Sequence, residues 1–126
     1  MSLRNYLDYF NKAVRRIDDY GFAESIEIIQ ETRAAKQAVT KAKITLIDGS
    51  VFHIREYVDA KYKIEKISYA YQYQDEDGNL IFRYDNARHL PDVGFKEHKH
   101  LNDGSIVESS IPDISDVVDK VIEYIR

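Results

Sequence analysis

The sequence predicts an α+β fold, in which an antiparallel sheet of four to five strands carries an N-terminal and a C-terminal helix on one face. Both ends of the chain show the apolar spacing of amphipathic helices, whereas the middle contains runs in which apolar and polar residues alternate. The 126 residues, 44% of them hydrophobic, suffice for one core, so residues 1–126 are expected to form a single domain. Residues 1–3 carry no functional weight, because Met-Ser-Leu is also typical of an expression-vector leader.

The first helix and the first strand follow from these two periodicities. Apolar residues recur at helical spacing up to Ile17, and Gly21 is a stop signal, which predicts a helix over about residues 3–20. In the next segment isoleucines alternate with polar or charged neighbours. This alternation predicts a strand over residues 24–33.

The clearest pair of strands lies in AKITLIDGSVFHIREYV, where two β-branched runs flank a turn signal. A three-residue loop, residues 48–50, is preferred because it sets apolar side chains opposite each other on one face. The resulting pairs are Leu46 with Phe52 and Ile44 with Ile54.

Alternation along the second strand of this hairpin separates its charged side chains. His53 and Arg55 are predicted on the face opposite the core, whereas Glu56 points inward. A buried Glu56 requires a partner. A pair with Arg83 inside the core would be structural, and the same pair at the edge of a cleft would be functional.

A second hairpin is predicted from YKIEKISYAYQYQ, the turn DEDGN and LIFRYDN. Ile67 shares one strand face with three tyrosines, Tyr69, Tyr71 and Tyr73. Such a stripe can stack unpaired bases, but an aromatic stripe that continues an isoleucine is more often part of the core. We therefore predict that these tyrosines are buried.

The remainder of the chain is predicted as a loop and a helix. Residues 86–105 are punctuated by Gly, Pro and Asp and are expected to form a loop, followed by a short strand in SIVESSI. Beyond it, PDISDVVDKVIEYIR has an apolar stripe at helical spacing, with Ser115 as the expected N-cap.

Composition and charge exclude several kinds of site. The chain has no cysteine, which excludes disulfides and thiolate metal sites. It has no apolar run near the roughly 18 residues of a membrane span and no apolar signal core, so a cytoplasmic protein without membrane association is expected. The formal net charge of −4 disfavours non-specific binding to nucleic acid, so any site for a polyanion must be local.

Three of the four histidines lie in HLPDVGFKEHKHL, residues 89–101. In an extended segment His98 and His100 project to the same side, and His89 is close enough in sequence to join them. Because imidazole titrates near neutral pH, such a group can supply the acid and the base that metal-independent cleavage of RNA requires.

Neighbouring residues suit contacts with a nucleic acid. Arg83, Arg88 and Lys99 are candidates to hold a phosphate and to stabilise its developing charge. Tyr84, beside Arg83, can combine base stacking with a phosphate contact.

Two other interpretations of the histidines remain open. No metal and no cofactor is predicted, but His-x-His with a third group can bind Zn²⁺ or a similar ion, and the ligands would be His89, His98 and His100, or a carboxylate such as Asp85. Three histidines in a charged loop can also be solvated and without function. No Gly-rich phosphate loop, Ser-His-Asp context or zinc-finger spacing is present.

Three stretches, taken in order, resemble the small TumE-type toxins of toxin–antitoxin modules. They are ITLIDGSVFHIREYVD, YAYQYQDEDGNLIFRYDNARHLPDVGFKEHKHL and IPDISDVVDKVIEYI, and the similarity spans about residues 6–125. Its most specific part carries Arg-Tyr-Asp-Asn and His-Lys-His in the order and spacing of the family. The matching positions are Arg83, Tyr84, Asp85, Asn86, His89, His98, Lys99 and His100.

The resemblance implies a small cytoplasmic α+β protein, a toxic activity on a cellular target and an antitoxin partner, typically with a helix-turn-helix domain. It assigns no catalytic residues. The leading hypothesis is therefore a toxin acting as a metal-independent RNA endonuclease, with His98 and His100, and His89 beside them, as the acid–base group. The residues expected to contact the substrate are Arg83, Tyr84, Asp85, Asn86, Arg88, Lys99 and Glu56.

Two alternatives belong to other classes of protein. One is a non-catalytic module that binds a protein or a nucleic acid through the sheet, and the other is a metal-dependent enzyme with histidine ligands. An edge strand of a small sheet can also pair with the antitoxin or with a second copy in a homodimer.

Overall fold

The described part of the computed structural model, residues 1–87 and 94–126, forms two helices and one antiparallel sheet. The elements in chain order are α1 (Leu3–Asp19), β1 (Ala23–Arg33), β2 (Gln37–Leu46), β3 (Val51–Asp59), β4 (Glu65–Gln74), β5 (Leu80–Asp85), β6 (His98–Leu101), β7 (Ile106–Glu108) and α2 (Ile114–Ile125). The strands follow one another in the sheet in sequence order, so each pairs with its neighbours along the chain. The predicted first helix and first strand are confirmed.

The α+β class is confirmed, but the prediction of four to five strands is wrong, since the sheet formed by the described residues has seven. The four-residue strand β6 lies in the segment that was expected to be a loop, whereas the three-residue strand β7 lies in SIVESSI, where a short strand was predicted. The side chains of β6 and β7 lack apolar alternation. These two strands therefore depend on ladder hydrogen bonds to β5 and to each other. The extended conformation expected at His98 and His100 is confirmed.

The core lies between the two helices and one face of the sheet, which we call the inner face. Apolar side chains of α1 and α2 meet those of β2 to β5 there, and the largest fully buried ones are Phe10, Ile17, Ile44, Leu46, Phe52, Tyr71, Tyr73 and Ile114. The stripe Tyr69, Tyr71 and Tyr73 is buried, which confirms the core interpretation and excludes it as a stacking platform. No helix among the described residues is long and apolar enough to cross a membrane.

The first predicted hairpin has the wrong register by two residues. Ile44 pairs with Phe52, and Ala42 pairs with Ile54. The loop has the predicted three residues but comprises residues 47–49. The last position of such a loop requires a left-handed backbone conformation, which only glycine adopts at no steric cost.

That last position is Gly49, with φ of 85°. Since a shift by an even number of residues preserves the strand faces, the prediction for β3 is unaffected: Glu56 lies on the inner face, and His53 and Arg55 lie on the opposite face.

A β-bulge overturns another predicted face. Tyr57 pairs with Ser68, but the next residue, Val58, pairs with Lys66, which leaves Ile67 as an extra residue in β4. As a result Lys66 turns to the inner face, while Ile67 is 46% exposed and does not share the face of the tyrosines.

The N-cap predicted for α2 is also wrong. The helix begins at Ile114, and the cap is Asp113, whose side chain accepts a hydrogen bond of 3.1 Å from the backbone N–H of Ser115. Aspartate and serine are about equally strong N-cap residues. Because Asp113 precedes Ser115 by two residues and already caps the helix, the helix begins two residues earlier than predicted.

Candidate active site

The pairing of β5 with β6 brings four of the predicted site residues together. In the ladder Arg83 pairs with His100 and Asp85 pairs with His98. Because paired residues of an antiparallel sheet share a face, all four lie on the side opposite the helices, which we call the outer face. We refer to Arg83, Asp85, His98 and His100 as the Asp85 cluster.

The carboxylate of Asp85 is the centre of this cluster. Its Oδ2 accepts a hydrogen bond of 2.7 Å from Nε of Arg83 and lies 3.3 Å from Nε2 of His100. Its Oδ1 lies 3.3 Å from Nδ1 of His98. Arg83 also donates from Nη1 to the side-chain oxygen of Gln72 at 2.8 Å. One carboxylate therefore orients a guanidinium and two imidazole rings.

The members of the cluster differ in their access to solvent. The side chains of Asp85 and His98 are each 3% exposed, whereas those of His100 and Arg83 are 17% and 33% exposed. The ring centroids of the two histidines are 6.4 Å apart. His100 and Arg83 are therefore the more exposed members of the cluster.

The electrostatics of the cluster keep Asp85 ionised. Burial alone would raise the pKa of this carboxyl, but the hydrogen bond and the positive charge of Arg83, together with His100 and His98, lower the pKa below its usual value. The aspartate therefore carries its negative charge at neutral pH and stabilises positive charge on its partners.

We expect this aspartate to contribute to acid denaturation. Its pKa is lower in the folded chain than the value of about 3.9 in an unfolded chain, so its contribution is complete above that value and is lost as the pH falls through the folded pKa. Urea denaturation from neutral pH down to about pH 2 measures the effect. Asp85→Asn should be less stable than wild type at neutral pH and should lose less stability in acid; parallel curves for the two proteins would contradict the expectation.

Other predicted substrate residues lie elsewhere. Tyr84 is buried on the inner face, and Nζ of Lys99 lies 5.0 Å from the centroid of its ring, so Lys99 projects away from the two histidines. Asn86 joins the end of β5 to β4: it accepts from the backbone N–H of Tyr69 at 3.1 Å and donates to the carbonyl of Ile67 at 3.1 Å. Arg88 and His89 lie outside the described residues.

Glu56 is fully buried on the inner face, in a network of polar groups. Tyr6 donates to its Oε1 at 2.6 Å, Tyr71 donates to its Oε2, and Nζ of Lys66 lies 3.6 Å away. Burial, together with the negative charge of Glu56, raises the pKa of both tyrosines, so they remain protonated donors. The pair with Arg83 that sequence analysis considered is not formed, because Arg83 lies on the other side of the sheet.

A cleft of about 320 Å³ opens beside the cluster and contains two cations that sequence analysis did not include. Arg55 lies across Ala70 from Asp85 in the ladder, and Lys96 lines the same cleft. The small side chain of Ala70 leaves the space between them open. Strand alternation had already placed Arg55 on this face, whereas no sequence signal pointed to Lys96.

The alternative of a metal site has no complete ligand set among the described residues. Within residues 1–87 and 94–126, no group of three or more His, Cys, Asp or Glu side chains is arranged to hold a metal ion. The predicted set of His89, His98 and His100 includes a residue outside those ranges and stays a prediction.

Comparison with known protein families identifies the chain. A family model described as Toxin TumE matches residues 13–126. The chain belongs to the TumE toxin family. The match includes the whole sheet, α2 and every member of the Asp85 cluster, and the resemblance noted in the sequence is thereby confirmed. No curated protein and no solved structure matches the chain.

Proposed function

We propose that this member of the TumE toxin family cleaves RNA at the Asp85 cluster, without a metal ion. The observation that carries the proposal is the arrangement of Arg83 and two imidazoles around one buried carboxylate, with Arg83 and Asp85 themselves lining a cleft. This arrangement supplies two imidazoles that can serve as general acid and general base, and a cation for a phosphate.

The proposed reaction is transfer of the phosphate within the RNA strand. The 2′-oxygen attacks phosphorus while the bond from phosphorus to the 5′-oxygen breaks. His100, the more exposed imidazole, takes the proton from the 2′-hydroxyl, and His98 gives a proton to the departing 5′-oxygen. The products are a 2′,3′-cyclic phosphate on one fragment and a 5′-hydroxyl on the other.

Arg83 is assigned to the phosphate. Its contacts with Asp85 and Gln72 use two of its five N–H groups and hold the guanidinium plane in place. The remaining donors are available to the phosphate oxygens, where negative charge increases in the transition state. Asp85, in this proposal, positions the arginine and the histidines and does not contact the substrate.

A toxin family implies an antitoxin partner. We propose that this partner carries a helix-turn-helix domain and covers the toxin by pairing with an edge of the sheet. The long strand β1, Ala23–Arg33, forms one of the two edges of the seven-stranded sheet and is the edge proposed to pair with the antitoxin.

The decisive experiment is cleavage of single-stranded RNA by the purified chain, free of antitoxin, in excess EDTA. We expect fragments with cyclic phosphate and 5′-hydroxyl ends, no cleavage of a strand whose 2′-oxygens are methylated, and arrest of growth when the chain is expressed in cells. Intact RNA at protein excess would overturn the proposal. Activity that requires a divalent metal would favour the metal-dependent enzyme, and RNA binding without cleavage would favour the binding module.

A further inference from the structure

Three cations stand on the outer face of β2 and β3, next to the cleft. They are Lys41, Lys43 and Arg55, which we call the outer-face cations. In the ladder Lys41 pairs with Arg55, and Lys43 pairs with His53. Like charges directly opposite each other destabilise a pair of strands, so the pair of Lys41 with Arg55 is an arrangement that folding alone does not favour.

In the ladder Glu27 of β1 lies opposite Lys43, but no ion pair joins the two side chains. All three outer-face cations are exposed, and no ion pair joins any of them to a carboxylate of residues 1–87 or 94–126. The sequence as a whole has a net charge of −4, so this concentration of positive charge is a local feature. The pKa of His53 is lowered, first by burial and then by the charges of Lys43 and Arg83, which act on it from opposite sides.

The outer-face cations are continuous with the Asp85 cluster. One row of the ladder runs from Lys43 through His53 and Gln72 to Arg83, and the next runs from Lys41 through Arg55 and Ala70 to Asp85. Adjacent strands are about 4.8 Å apart, so β2 and β5 are separated by roughly 14 Å.

The shape of the surface follows the same path. A depression of about 810 Å³ is lined by Lys41, Lys43, His53 and Arg55, with Glu27 and Ile29 of β1 along its far side. The cleft of about 320 Å³ beside the Asp85 cluster is also lined by Arg55, which therefore belongs to both. An extended chain that lies in the depression would pass directly into the cleft.

We propose that the outer-face cations bind the phosphodiester backbone of single-stranded RNA and direct it into the Asp85 cluster. This inference rests on the proposed cleavage of RNA. Neither row of the ladder between β2 and β5 carries a Phe or a Tyr, so contact with phosphates, and not base stacking, supplies the affinity, and the preference for base sequence is weak. A single strand is the substrate because in-line attack by the 2′-oxygen needs a backbone that is free to leave the geometry of a duplex.

The test uses a fluorescein-labelled RNA of about ten nucleotides with 2′-O-methyl groups, which binds but cannot react. Its affinity is measured by fluorescence anisotropy at about pH 8. The variant is Lys41→Gln/Lys43→Gln/Arg55→Gln. The control, Lys12→Gln/Arg15→Gln/Lys120→Gln, removes the same charge from exposed positions on the two helices.

We expect the outer-face variant to bind at least about tenfold more weakly than wild type and the control to bind within about twofold of it. The slope of log affinity against log salt should fall by about two in the outer-face variant, since each phosphate contact with a single strand contributes about 0.7. The melting temperature of this variant should equal or exceed that of wild type, because repulsion between Lys41 and Arg55 is relieved.

Several results would overturn the inference. One is an equal loss of affinity for the probe in both triple variants, which would indicate an effect of overall charge only. The others are unchanged affinity in the outer-face variant and no binding of the probe by wild type. Cleavage of unmodified RNA by wild type is measured separately. If that cleavage occurs while the outer-face variant binds normally, the proposed function stands and the inference fails. If wild type binds the probe through these cations but leaves RNA intact, the binding surface stands and the proposed cleavage fails.

Discussion

Replacing His100 with alanine is expected to lower the rate of RNA cleavage by about 10²- to 10⁴-fold, the usual contribution of one general acid or base. His100 is the more exposed histidine of the Asp85 cluster, and its Nε2 lies 3.3 Å from the carboxylate. Single-turnover cleavage with protein in excess, at matched amounts of folded protein, measures the chemical step.

A matched control lies on the same face of the sheet. Thr45 of β2 is half-buried on the outer face but lies outside the cluster, so Thr45→Ala should cleave RNA at close to the wild-type rate. If His100→Ala also cleaves at that rate, this histidine transfers no proton and the proposed mechanism is wrong.

The role of His98 is separable by a conservative change. An asparagine at this position keeps an N–H donor for Oδ1 of Asp85 but has no proton to transfer near neutral pH. Loss of activity in His98→Asn supports proton transfer to the departing oxygen. Full activity would show that His98 only positions Asp85, and the proton donor would have to be sought elsewhere in the cleft.

Replacing Glu56 with alanine is expected to lower the free energy of unfolding by about 3–5 kcal/mol. The change leaves the buried Lys66 without its counter-ion and removes the acceptor of the Tyr6 and Tyr71 hydroxyls, and unpaired buried polar groups of this kind carry a large penalty. Urea denaturation followed by circular dichroism at neutral pH measures the loss.

Two further variants sharpen this expectation. Glu65→Ala, an exposed residue at the start of β4, should change stability by no more than about 0.5 kcal/mol. Glu56→Gln keeps an acceptor and should be destabilised less than the alanine variant. Equal stability of Glu56→Ala and wild type would contradict the buried network. If Glu56→Gln is folded but does not cleave RNA, Glu56 takes part in the activity as sequence analysis had allowed.

Strong periodicity made parts of the fold predictable. The apolar spacing of α1 and the alternation along β3 and β4 each reflect burial of one face, and burial is the dominant stabilising term. For the same reason the inward position of Glu56 and the burial of the tyrosine stripe were predictable, even though a carboxylate is an unusual core residue.

Features that depend on neighbouring strands were not predictable. The turn from β1 to β2 contains no glycine, and Ala35 and Lys36 adopt φ of 62° and 59°, a strained backbone that the long ladder on either side maintains. The bulge that turns Lys66 inward is likewise visible only in the pairing of β3 with β4.

The sequence by itself determined the fold class, the family and the histidines and arginine of the candidate site, because periodicity and a motif are local properties of the chain. Only the tertiary structure decided which of those residues act together. The ladder between β5 and β6 assembled the Asp85 cluster on one face and sent Tyr84 and Lys99 to the other. The pairing of β3 with β4 and of β4 with β5 set Arg55 beside that cluster, since residues distant in sequence meet only when strand register is established.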